Sequence, residues 1–124
     1  MKRYGAERMA WMQPMKALLD QGIPLAIGSD GPMNPFLNIL WASTHPNNPA
    51  QALTREQAVA AYTWGSAYAE STERDKGQLA IGMLADLAVL SDDVFTVPAN
   101  RMERIRSVLT LVGGRVSYDA GVLR

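Results

Sequence analysis

Two side chains in this sequence are of types that do proton or metal chemistry and stand in settings where such chemistry is found: Asp30 and His45. Asp30 lies in Gly28-Ser29-Asp30-Gly31-Pro32, directly after the apolar run Ile23-Pro24-Leu25-Ala26-Ile27. An unbroken apolar run of this length reads as a strand buried on both faces. A carboxylate just past the end of such a strand has two readings. In parallel α/β folds the C-terminal strand ends carry the chemistry, so Asp30 can be a metal ligand or a proton acceptor. Ser-Asp-Gly is also ordinary turn chemistry, so Asp30 can equally be an Asx-turn or capping residue. His45 sits in Ser43-Thr44-His45-Pro46-Asn47-Asn48-Pro49, a loop by composition. A lone histidine there reads first as an exposed loop residue, and second as a substrate contact among hydroxyls and amides.

The elements that position these residues follow from pattern. Residues 1–22 read as helix leading into the apolar run. Pro14 sits at a first turn, Met15, Leu18 and Leu19 keep helical spacing, and Gly22 serves as C-cap. After the Asp30 loop, Pro35 starts a short helix that is expected to turn Leu37, Leu40 and Trp41 inward. Thr54 with Gln57 three residues on is a capping box. Ala58, Ala61, Tyr62 and Gly65 extend a small-residue face suited to close approach on a sheet, with an interruption expected at Gly65-Ser66. From residue 76 the chain becomes β-rich. Residues 85–90 and 107–112 read as strands, 101–106 as a short helical turn, and Gly113-Gly114 as a two-residue hairpin turn returning through 115–118.

Composition narrows the classes. The 124 residues suffice for one domain with its own core. Twelve Lys+Arg balance twelve Asp+Glu, which disfavours nucleic-acid or membrane-surface binding, since both need a one-signed patch. Cysteine is absent, removing disulfide and thiolate chemistry. No apolar run approaches the ~20 residues of a membrane span. The start, residues 1–5, does not read as a signal peptide, so the cytoplasm is the expected location. With one histidine and no cysteine, the chain is a poor candidate to hold a catalytic metal alone.

Four stretches in order resemble the C-terminal portion of a metal-dependent amidohydrolase, of amidohydrolase family 3 (the YtcJ-like group). They are Leu18-Leu19-Asp20-Gln21-Gly22 running into Ile23 through Asp30; Leu53-Thr54-Arg55-Glu56-Gln57-Ala58; Lys76-Gly77-Gln78-Leu79 with Gly82-Met83-Leu84-Ala85-Asp86-Leu87-Ala88-Val89-Leu90; and Val108-Leu109-Thr110-Leu111-Val112-Gly113-Gly114-Arg115-Val116. The resemblance implies an α/β fold. Residues 1–75 would be the last strand and helices of a (β/α)₈ TIM barrel, and residues 76–124 the C-terminal strands of a small β-sandwich (composite) domain.

By the same resemblance, Asp30 is the catalytic carboxylate at the end of the eighth barrel strand and the metal ligand. Gly31, Pro32, Asn34 and His45 neighbour the substrate. The implied cofactor is a divalent metal, zinc, in the full-length protein, acting on amide-type carbon–nitrogen bonds of a small-molecule substrate. The family's His-x-His, its bridging Lys or Glu and its two later histidines have no match here. A full barrel needs ~250 residues, so the chain is expected to be inactive alone and, with strand edges uncovered, to form a homo-oligomer. The rival reading is a non-catalytic α/β module that self-associates or binds a partner through those edges.

Overall fold

The computed structural model describes residues 5–31 and 33–123. Residues 1–4, on which the reading of the chain's start rests, and Pro32 lie outside the described residues. The order is α1 (Gly5–Ala10), α2 (Met15–Asp20), α3 (Pro35–Thr44), a 3₁₀ turn (Pro49–Gln51), α4 (Arg55–Tyr62), α5 (Trp64–Ala69), β1 (Leu87–Leu90), a second 3₁₀ turn (Ala99–Arg104), β2 (Ser107–Val112) and β3 (Arg115–Asp119). This is a small α/β structure with a three-stranded antiparallel sheet, order β1-β2-β3.

The single helix expected over residues 1–22 is two short ones. The break falls at Gln13, which takes a left-handed φ of 51°, and at Pro14, which precedes α2 rather than starting its first turn. α2 ends as the sequence suggests. The Gly22 N–H bonds to Leu19 O at 2.8 Å and the Ile23 N–H to Leu18 O at 3.0 Å, the paired closure of a Schellman motif.

Residues 23–29 are extended but form no ladder among the described residues. They are not buried on both faces. Leu25, Ile27 and Ser29 are half-buried, while Pro24, Ala26 and Gly28 are exposed. The covered side rests on α4 and α5, where the Ile27 N–H donates to Ala61 O at 3.2 Å and Ser66 Oγ to Ile27 O at 3.3 Å. Gly65 makes this docking possible. A Cβ built there would stand 1.8 Å from Leu25 O, so any side chain would drive helix and extended segment apart. The small-residue face read from the sequence is real, with Ala58, Ala61, Gly65 and Ala67 buried. The helix breaks one turn earlier than expected, at Thr63.

α4 starts with the capping box: Thr54 Oγ1 accepts from Gln57 N at 3.1 Å, and the Gln57 side chain accepts from Thr54 N at 2.9 Å. The hydrophobic core joins Ile39, Ala42, Leu53 and Ala58 of the helical part to Val94, Val97, Met102 and Ile105 from the β1–β2 connection. Arg55 of α4 fastens that connection by donating from Nη1 to the carbonyls of Val94 and Val97.

β2 and β3 meet at Gly113-Gly114, with φ of 56° and 76°. Two left-handed residues in a two-residue loop match the twist of the flanking strands. The tip is also sewn to the entrance of β1. Gly113 N donates to Asp86 Oδ1 at 2.7 Å and Gly114 N to Ala85 O at 3.0 Å. Among the described residues no helix is long and apolar enough to cross a membrane.

Candidate functional site

The residues singled out from the sequence gather around the end of the extended segment. Asp30 is exposed, and among the described residues its carboxylate takes no partner. That is the posture of a group free to act on something outside the chain. Gly31 beside it is exposed as well.

Asn34 has a structural use. Its Oδ1 accepts from Phe36 N at 3.1 Å and Leu37 N at 3.2 Å, capping α3, and its Nδ2 donates to Glu103 O at 3.1 Å. Its amide therefore closes a helix start and ties the Asp30 loop to the second 3₁₀ turn.

His45 overturns the expectation of an exposed loop residue. It is the C-cap of α3 in a left-handed conformation, φ 42°, and only 2% exposed. Nδ1 accepts from the Asn48 N–H at 3.0 Å. The ring proton therefore sits on Nε2, 3.0 Å from Gln13 O, so Nε2–H donates to that carbonyl. A backbone donor on one ring nitrogen and a backbone acceptor on the other hold the imidazole in one tautomer. Neither nitrogen is left for a substrate.

α3 carries two faces. Ile39 and Ala42 are buried, with Phe36 and Leu40 against the same core. Trp41, expected inward, is 48% exposed. Asn38, Trp41, Ala42 and His45 follow one another at helical neighbour spacing and line one wall of a cleft. Gln13 and Met15 form a second wall, and Ile27 and Gly28 close the third side. The structure thus brings His45 to the cleft that begins two residues before Asp30, and leaves Asn34 on a separate groove with Phe36, Leu90 and Arg106. Sequence reasoning missed Asn38 and Gln13. The i, i+3, i+4, i+7 pattern of 38, 41, 42 and 45 was the available signal.

The residues present do not by themselves fit a catalytic metal. Such a site takes about three protein ligands, and among the described residues no group of three or more His, Cys, Asp or Glu comes together. With the imidazole of His45 occupied, Asp30 is the one ligand this region offers.

The amidohydrolase family model matches residues 1–118. The protein named as amidohydrolase YtcJ of Bacillus subtilis (strain 168) is 32% identical over 129 residues, covering 94% of this chain and 24% of that protein. The N-substituted formamide deformylase of Arthrobacter pascens is 25% identical over 115 residues, covering 86% of this chain and 21% of that protein. The chain spans about a quarter of the length of the curated relatives it matches.

Proposed function

We propose, from the premise that this chain belongs to the amidohydrolase family, that it is the C-terminal part of a hydrolase of carbon–nitrogen bonds in small molecules. Residues 1–75 contribute the end of a TIM barrel, and residues 76–124 the strands of a composite β domain. One relative is named as a deformylase of N-substituted formamides, and an amide of that kind is the substrate class in this reading. Hydrolysis joins the oxygen of water to the carbonyl carbon, breaks the C–N bond and leaves an acid and an amine. The attacking water must lose a proton as it adds. Asp30 is the acceptor: a carboxylate at the end of an extended apolar segment, exposed and without a partner among the described residues. That unspent carboxylate is the observation that carries the reading.

The family is generally metal-dependent, and a divalent metal, zinc, belongs to this reading of the whole protein. The described residues here do not hold one, so the chemistry assigned to Asp30 is proton acceptance alone. The test joins the chain to the rest of an amidohydrolase and measures amide hydrolysis with Asp30 and with Asp30→Asn. The amide keeps the size of the side chain and cannot accept the proton. Turnover should fall by roughly 10²–10⁴-fold with an unchanged circular dichroism spectrum, and full activity in Asp30→Asn would remove Asp30 from the chemistry.

A second reading rests on the extended segment itself. Residues 23–29 present a side with no ladder partner among the described residues, and an open strand edge is a template for pairing. The isolated chain is then a homo-oligomer. Sedimentation that gives a monomer at every concentration would end that reading.

A further inference from the structure

The cleft between α2, residues 27–28 and α3 has no part in the proton chemistry assigned to Asp30. Its volume is about 290 Å³, at the lower end of the range for ligand pockets and matched to a single ring. Met15, Ile27, Trp41 and Ala42 supply apolar wall. The half-exposed indole of Trp41 offers a stacking face, and the Met15 thioether suits an aromatic edge. One polar group is out of place. The side-chain nitrogen of Asn38 is buried with no hydrogen-bond partner among the described residues. His45 cannot serve it, because both ring nitrogens are spent. Gln13 and His45, both left-handed and neither glycine, are bonded to one another across the rim. Strain of that kind is held where a site is being shaped.

We infer that this cleft binds the part of the substrate that does not react, a small aromatic ring carrying an amide, with Trp41 and Met15 against the ring and Asn38 donating to the carbonyl oxygen. A turn of the Asn38 amide about its Cβ–Cγ bond, a soft torsion, brings the unpaired N–H to the ligand. Burial that leaves a donor unbonded is uncommon in native proteins, and a ligand carbonyl supplies the missing acceptor. The inference rests on the hydrolytic reading of Asp30, two residues beyond Gly28, and makes Asn38 a specificity-determining residue.

The test titrates the 124-residue chain with acetanilide, ethylbenzene and acetamide, and follows the Trp41 indole and Asn38 side-chain amide signals in ¹H–¹⁵N spectra. Acetanilide should shift both signals saturably. Ethylbenzene, with the ring and no acceptor, should bind at least about tenfold more weakly, and acetamide should not bind. Asn38→Leu should reduce acetanilide to the level of ethylbenzene. Gly28→Leu, at a position where an added Cβ meets nothing within 4 Å, should fill the cleft and abolish both, which decides the matter if Asn38→Leu fails to fold.

Equal binding of acetanilide and ethylbenzene, an Asn38→Leu chain that binds as before, shifts confined to other residues, or no saturable response would each overturn the inference. Asp30→Asn should leave the titration unchanged, which separates the two readings. A chain that binds acetanilide but hydrolyses no amide once joined to the rest of an amidohydrolase sinks the hydrolytic reading alone. Amide hydrolysis with no acetanilide binding sinks the cleft alone.

Discussion

Residues 23–29 and 107–112 are both apolar runs that read as strands, yet they end differently. The second has its partners close in sequence: β3 follows through a two-residue turn, and β1 lies on its other side in register, Leu87 opposite Leu111 and Val89 opposite Leu109. The first is held on one side only, by helices, through Ala61, Gly65 and Ser66. A ladder strand gains its stability from cross-strand pairs, whereas a segment docked on helices depends on closeness of approach. The contrast places the reactive carboxylate on the less restrained run and leaves the sheet as the stable scaffold.

The most severe way to break this contrast is Gly65→Ala. The new methyl would collide with Leu25 O, and the loss should be about 3 kcal/mol in urea unfolding. Amide exchange should rise in residues 23–29 while β2 and β3 keep their protection. A loss spread evenly over both regions would mean that they do not differ as described. Next is His45→Ala, which strips the acceptor from Asn48 N and the donor from Gln13 O and should cost about 2 kcal/mol, read as a fall in thermal midpoint. Gly114→Ala touches only the sheet. Its Cβ would find ordinary space 3.7 Å from Ala85, so only the left-handed φ of 76° is penalised, by about 1 kcal/mol, with the 23–29 segment unaffected. Asp30→Asn should move stability by less than about 0.5 kcal/mol, because nothing described leans on that carboxylate.

What was legible in the sequence follows the same division. The Gly113-Gly114 turn and the Thr54–Gln57 box were readable because their bonds close within three or four residues. Schellman closure at Gly22 was readable for the same reason. His45 was misjudged because its burial depends on the carbonyl of Gln13, 32 residues away, which no local pattern announces. Trp41 was turned the wrong way because α3 is apolar on more than one face, so composition alone cannot say which face meets the core. The 23–29 run looked fully buried because a hydrophobic run reports the need for cover and not the source of it. Asp30 was found by its place in the chain, and its freedom from local bonds became visible only with the fold.

One further check concerns the link between the two regions. Asp93 Oδ1 accepts from Phe95 N at 2.8 Å and Oδ2 from Thr96 Oγ1 at 2.8 Å. These bonds, the backbone N–H of Phe95 first and the Thr96 hydroxyl second, with Arg55 adding a smaller attraction, hold its carboxyl below the usual range. A carboxyl lowered on folding stabilises the native state above its unfolded value and loses that contribution as pH falls through the folded one. Asp93→Asn should therefore melt slightly earlier than the parent at pH 7, with the difference gone near pH 2. A difference that grew in acid would contradict the sign.

The stitches from the hairpin tip to Asp86 and Ala85 bear on time as well as on shape. A β-turn tip is ordinarily where amide protons trade with solvent soonest, since its N–H groups point outward and fraying starts there. Here both tip amides are engaged by the chain entering β1. They can exchange only when that entrance lets go, so the turn and the first strand should open together as one kinetic unit. In deuterium oxide the amides of Gly113 and Gly114 should be slow, keeping pace with Val89 and Leu109 and lagging well behind the free end past Asp119.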